Sequence, residues 1–207
     1  MRRKNLLLLF MFSMAGFLNA QEIHLFPFAG YSFADKFKID GGTGLIREGI
    51  TYGGALSWVA SDHWAIEISY LRMKSTMEAT GYYEGDDFGF ADEIHINYIL
   101  LGGSRLFRLT ERTNLLCGVN VGVGIFHSIA DRYSKMARFA TGVDAGINHF
   151  FTENLGVRVQ ANLNFPVTEV GDAFGWNGGH NGSSAGVSGV VPFVQPGFTA
   201  GLVLKIK

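Results

Sequence analysis

The stretch CGVNVGVGI, Cys117 to Ile125, alternates bulky apolar residues with Gly, Asn, Gly and Gly. A helix repeating every 3.6 residues would scatter the small residues around its surface, whereas a strand repeating every two puts them all on one face. An ordinary half-buried strand shows Lys, Glu or Thr to water on its second face. Here that face has neither charge nor bulk, so it belongs somewhere crowded. The polar interior of a small closed barrel is such a place, because about eight strands leave just enough room inside for side chains. The apolar face then looks outward, into lipid.

The same alternation marks eight runs: Ile23–Phe33, Gly49–Ala60, His63–Lys74, Glu93–Phe107, Thr113–His127, Ala137–Phe151, Asn154–Phe165 and Phe193–Lys207. Each reaches the roughly 9–11 residues that a tilted strand needs to cross a membrane. The connections between them, 34–48, 61–62, 75–92, 108–112, 128–136, 152–153 and 166–192, run long, short, long, short, long, short, long. In an up-and-down barrel alternate connections share a side, and transmembrane barrels have short periplasmic turns and longer external loops. The pattern therefore places Asp62, Thr110 and Glu153 in the periplasm, and Asp40, Gly85, Ala130 and Gly179 outside the cell.

Parity within the runs agrees. Phe139, Val143, Ala145 and Ile147 share one face, with Arg138, Asp144 and Asn148 on the other. The next run sets Leu155, Val157, Val159, Ala161 and Leu163 against Arg158, Gln160, Asn162 and Asn164. Trp64, Ile66, Ile68 and Tyr70 likewise oppose Glu67 and Ser69. Amphipathic rings settle at headgroup level, so Trp58, Trp64 and Phe151 form a periplasmic girdle, with Tyr31, Phe33, Tyr70 and Phe165 at the opposite rim. A soluble sandwich is the competing arrangement, but strands this long with so few outward charges would be insoluble.

The N-terminus reads as an export address: MRRK supplies a positive start, LLLLFMFSMAGF an apolar core and LNA a small-residue end. Residues 1–20 are expected to be a signal peptide cleaved near Ala20, and 21–207 the barrel. No Cys follows the cleavage point, which argues against a lipoprotein. The chain is 47% hydrophobic with 28 glycines, yet no later stretch approaches the 18 or so apolar residues of a spanning helix. The one cysteine, Cys117, excludes an internal disulfide and falls on the outward face as a small hydrophobe. Without the three cations of MRRK, 14 basic residues stand against 18 acidic, and no basic run suits nucleic acid.

With eight alternating runs and this loop rhythm, the chain resembles the eight-stranded outer-membrane barrels of the OmpA, OmpX and OmpW type, the outer membrane protein beta-barrel group. The resemblance covers residues 21–207 and rests on architecture. It implies an all-β, antiparallel up-and-down transmembrane barrel in the outer membrane, surrounded by outer-membrane lipid and lipopolysaccharide and inserted by the barrel-assembly machinery. Such barrels often end on an aromatic residue, whereas this sequence ends LVLKIK.

Some small barrels of this kind modify lipid A, so a nucleophile with a base at the rim is the feature to seek. His127 and Ser128, with Asp131 nearby, are adjacent on a strand and point to opposite faces. Trp176, His180, Ser183 and Ser184 lie in GWNGGHNGSSAGVSG, a Gly/Ser-rich loop that fixes no geometry. Glu93, His95 and Asn97 share a face and could approach a metal, but no further ligand joins them and lumen polarity explains them better. EGDD (84–87) lacks the ligand spacing of a calcium loop. No catalytic residue, metal site or cofactor is expected, and the sequence names no external ligand.

The expected function is therefore a non-enzymatic integral outer-membrane barrel that anchors surface loops. A narrow conduit for small solutes or apolar molecules is the alternative, and a lipid A-modifying enzyme a weaker one. For the lumen, Glu67 lies just above the turn at Asp62 and Arg105 just before that at 108–112, which predicts an ion pair between them. Asp144, Arg158, Gln160 and Asn162 are expected to form a second polar cluster higher up, because buried charges are costly unless paired and hydrogen-bonded. Gly118, Gly122 and Gly124 are expected to leave room for side chains from other strands.

Overall fold

The computed structural model describes residues 22–39, 42–83, 86–129, 136–169, 190–192 and 194–206. The signal-peptide reading of 1–20 falls outside them, as do Asp40, Gly85, Ala130, Asp131, Trp176, Gly179, His180, Ser183 and Ser184. The described chain is almost wholly strand: β1 (Glu22–Ser32), β2 (Asp35–Ile39), β3 (Gly42–Ile46), β4 (Gly49–Ser61), β5 (Trp64–Tyr83), β6 (Asp86–Arg108), β7 (Thr113–Ser128), β8 (Met136–Phe150), β9 (Leu155–Glu169), β10 (Val190–Pro192) and β11 (Gln195–Ile206).

Eight of these close on themselves in the order β1, β4, β5, β6, β7, β8, β9, β11, and β11 returns to β1. Every neighbouring pair is antiparallel. Closure removes the unpaired edges that an open sheet would present. The short connections 62–63, 109–112 and 151–154 gather with the ends of β1 and β11 at one mouth. There, Leu106 N–H donates to the His63 carbonyl, Phe150 N–H to that of Arg112 and Lys205 N–H to that of Asn154.

A proline interrupts the ladder of one ring strand, β1. Pro27 has no N–H to give, and the β1–β11 ladder stops at Leu25 opposite Leu204 and resumes at Phe28 opposite Gly201. The rings of Phe26 and Phe28, with centroids 5.2 Å apart, back this interruption. Phe26 is buried inside the barrel.

Two of the long connections are strand, not loop. Residues 75–83 and 86–92 continue β5 and β6, which reach 20 and 23 residues and pair along 20 successive positions. Within 34–48, β2 and β3 form a hairpin that joins the upper part of β5. Alternation continues through these segments, but its polarity inverts. On β5 the outward residues pass from Trp64, Ile66, Ile68 and Tyr70 to Arg72, Lys74, Thr76 and Glu78, while the inward ones pass from Glu67 and Ser69 to Leu71, Met73 and Met77. On β6 the outward Leu101 and Ile99 give way to Asn97, His95 and Glu93, and the inward Ser104 to Leu100, Tyr98, Ile96 and Ile94.

The barrel is thus polar inside and apolar outside over one stretch, then apolar inside and polar outside beyond it. The first arrangement is stable only in lipid and the second only in water. The extension carries its own core, in which Phe37, Ile46, Met73, Met77, Ile94, Ile96, Tyr98, Leu100, Phe126 and Met136 are packed together.

Candidate functional site: the barrel lumen

Glu67 and Arg158 are each the fourth residue of their strands, β5 and β9, and each strand follows a short turn. Equal distance from the same mouth gives them equal height. Parity turns both inward, and β5 and β9 lie four strands apart in either direction around the ring of eight. The pair therefore spans the lumen along a diameter. Arg158 Nη1 donates to Glu67 Oε2 at 2.7 Å, with the two side chains only 3% and 13% exposed.

Neighbouring strands complete this layer. Ser57, opposite Glu67 on β4, donates its hydroxyl to Glu67 Oε2. Asn148, opposite Arg158 on β8, accepts from Arg158 Nε at 2.8 Å. The guanidinium also lies 4.5 Å above the centre of the Phe26 ring. Breaking such a buried pair by removing one partner costs about 3–5 kcal/mol, because the survivor is an uncompensated charge.

Below the layer, Glu22 holds His24 and Lys205, each at 3.2 Å, and the Lys205 ammonium sits 4.2 Å over the Phe150 ring. A vestibule of about 450 Å³ opens at this mouth, bordered by Asp62, Arg108, Glu111, Arg112 and Glu153 among others.

Above the layer, Asp144 accepts a hydrogen bond from Asn120 Nδ2 at 2.5 Å. The space that CGVNVGVGI leaves is used as follows. A Cβ at Gly118 would meet Ser104 Oγ and the Asp144 carboxylate, and one at Gly124 would meet the ring of Tyr98. Gly122 differs, since its Cβ would run into the backbone carbonyl of Ile99 on the neighbouring strand. It accommodates a close approach of two backbones, not a side chain. Gln160 Oε1 and both amide atoms of Asn162 are buried with no hydrogen-bond partner among the described residues.

Higher still, Tyr98 donates its hydroxyl to Gln195 Oε1 at 2.9 Å, and Gln195 Nε2 reaches Met73 Sδ at 3.0 Å. These groups floor the apolar core of the extension. The hydroxyls of Tyr98 and Ser57 escaped the sequence reading, although both stand at inward parity.

The Glu67–Arg105 pair is not formed. Arg105 lies opposite Trp64 across β5 and β6, on the outward face, and its guanidinium stacks 4.9 Å over Trp64 and 5.9 Å from the centre of the Phe107 ring. The polarity inversion is the cause. Glu93, His95 and Asn97 are polar yet outward, so taking them as lumen residues puts the odd positions of β6, Arg105 included, on the wrong side. Nor do Asp144, Arg158, Gln160 and Asn162 act as one cluster: Arg158 belongs to the Glu67 layer and Asp144 to Asn120.

The remaining candidates divide similarly. Ser128 turns inward and donates to Asp92 Oδ2 at 2.5 Å, while His127 turns outward opposite His95. Asp86 and Asp87 lie in strand β6. No group of three or more His, Cys, Asp or Glu suited to a metal occurs among the described residues. Trp64, Tyr70 and Phe151 are exposed, with Trp58 and Phe165 half-buried. On the far rim Tyr31, Phe33 and Phe198 form a cluster of rings.

No family model matches the chain, and no curated protein sequence matches it. Solved structures do. Neisserial surface protein A superposes with a TM-score of 0.59 at 12% identity, over 90% of this chain and 97% of that one. The outer membrane protein OprG from Pseudomonas aeruginosa gives 0.58 at 13% identity, over 90% and 95%. At such identities the agreement lies in the path of the backbone. The chain has the fold of the eight-stranded outer-membrane β-barrels.

Proposed function

We propose that this protein is a non-enzymatic integral outer-membrane barrel whose lumen is closed by its own side chains and whose extended outer end is the part that meets the surroundings. One observation carries the reading: the Glu67–Arg158 pair crosses the full diameter of the lumen, held by Ser57 and Asn148. An open conduit would have to break it. The apolar core around Met73, Ile96 and Tyr98 lies across the same axis higher up, and offers a hydrated ion no polar path.

In this reading residues 1–20 direct export and are removed near Ala20, the barrel of 21–207 is inserted by the assembly machinery, and the apolar band faces outer-membrane lipid and lipopolysaccharide. The outward parity of His127 against the inward Ser128 argues against a paired base and nucleophile. Planar-bilayer recording of the purified barrel tests the closed lumen. Almost no steady current is expected, and only rare openings from Glu67→Ala. Ohmic channels from the wild-type protein would replace the anchor by a conduit for small solutes.

A further inference from the structure

The outer wall carries its charges unevenly at the border where lipid gives way to water. On the β1, β9 and β11 side that border is aromatic, made of Tyr31, Phe33, Phe165 and Phe198. On the β5–β7 side it carries two basic side chains, Arg72 and Lys74, among polar neighbours. The apolar outward band there runs up to Tyr70, Ile99 and Ile125, and the next outward positions are Arg72 and Lys74, Asn97 and His95, and His127, with exposed Tyr82 and Ile129 farther out. Register brings them together, for Arg72 stands opposite Asn97, Lys74 opposite His95, and His95 opposite His127. Arg72, Lys74, His127 and the acidic Glu93 all lie within electrostatic reach of the His95 ring.

We propose that Arg72, Lys74 and His95 form a binding site on the outer wall for the phosphate of an anionic lipid in the outer leaflet. Arg72 is half-buried and has no carboxylate partner among the described residues. A guanidinium at headgroup depth gains most from an anion there, and a phosphate accepts its planar fork through two parallel hydrogen bonds. Lys74 does have a partner, Glu93 Oε2 at 2.9 Å, but both side chains are 57% exposed. Glu93 stands one position farther from the lipid than His95 on the same face, so it competes with a phosphate for Lys74 from the water side. Tyr70, whose hydroxyl donates to Asn97 Oδ1 at 2.9 Å, marks the headgroup level beside the site. Arg105 is the contrasting outward cation, already stacked on Trp64 at the opposite rim.

The proposal rests on the reading of the barrel as membrane-spanning. Its test uses the refolded barrel in detergent micelles, titrated with diphosphoryl lipid A, the dephosphorylated lipid, inorganic phosphate and a sulfated oligosaccharide. The phosphorylated lipid is expected to bind about tenfold more tightly than the dephosphorylated one. Arg72→Gln with Lys74→Gln should abolish that preference, Arg72→Lys with Lys74→Arg should largely keep it, and Arg105→Gln should leave it unchanged. Glu93→Gln should strengthen binding several-fold by releasing Lys74. These side chains point away from the lumen, so heat-modifiable gel mobility should show all variants folded. If the Gln pair does not fold, the Glu93→Gln gain and the Arg105→Gln control decide the matter. Equal binding of both lipids, or a loss in Arg105→Gln matching that of the Gln pair, overturns the site. Equal binding of free phosphate or of the sulfated oligosaccharide overturns the lipid as its source. Failure of the wild-type barrel to insert into phosphatidylcholine vesicles would instead overturn the membrane-spanning reading.

Discussion

At the scale of single residues, the chain places two arginines of the same chemistry in opposite situations. Arg158 is shut inside the barrel against Glu67, whereas Arg105 lies on a Trp ring at the outer wall. Glu67→Ala leaves the buried Arg158 with Asn148, Ser57 and the Phe26 ring but no counter-charge, and is expected to cost about 3–5 kcal/mol. Arg105→Ala loses an exposed cation–π contact and is expected to cost no more than about 1 kcal/mol. Urea titration of the barrel in lipid vesicles compares the two, and equal losses would remove Glu67 from the lumen. Asn120 is a residue whose importance the sequence conceals. It reads as a small polar filler between valines, yet it supplies a hydrogen bond to the buried Asp144. Asn120→Ser is therefore expected to cost about 1–3 kcal/mol, since Ser is too short to make that bond.

At the scale of the strand, two glycines on adjacent strands should respond differently to one added methyl. Gly122 faces inward where its Cβ would collide with the carbonyl of Ile99, while Gly103 faces outward with nothing within 4 Å of that position. Gly122→Ala is expected to destabilise by about 1–3 kcal/mol through forced separation of β6 and β7. Gly103→Ala should change stability by no more than about 0.5 kcal/mol. On β7 itself, Val121→Arg puts a cation into the lipid face midway along the strand and is expected to cost about 2–4 kcal/mol. Refolding yields in vesicles read all three. Strand-level alternation was also the part of the fold most open to reading from the sequence. Trp64 to Tyr70 and Cys117 to Ile125 declare their faces because lipid tolerates only one of them. Residues 75–92 did not, because Met77 and Ala79 face inward there like the core of any soluble hairpin. A reader following lipid polarity sees the pattern end where only its sign changes. The partner of Glu67 was concealed for another reason: parity says which face a residue takes, not which strand lies across the lumen. The equal depth of Glu67 and Arg158 was present in the sequence, but only the closed ring makes it a contact.

At the scale of the molecule, the long and short ends of the barrel give it a direction. The short turns at 62–63, 109–112 and 151–154 share one mouth, and β5 and β6 extend past the lipid band at the other. That extension has a core of its own and an outward surface of Lys74, Thr76, Glu78 and Glu93, so it can stand in water. Membrane barrels of this fold keep short turns in the periplasm and longer connections outside, which puts Asp87 outside the cell and Asp62 in the periplasm. Single cysteines at these positions test the assignment. Cys117 lies on the outward face, and Cys117→Ser removes any background from it. In that background, a membrane-impermeant maleimide added to intact cells is expected to label Asp87→Cys and to spare Asp62→Cys until the outer membrane is permeabilised. The reverse pattern would invert the barrel. It would also move the cationic face of Arg72 and Lys74 to the inner leaflet, and a phosphate site there would have to recognise phospholipid headgroups instead.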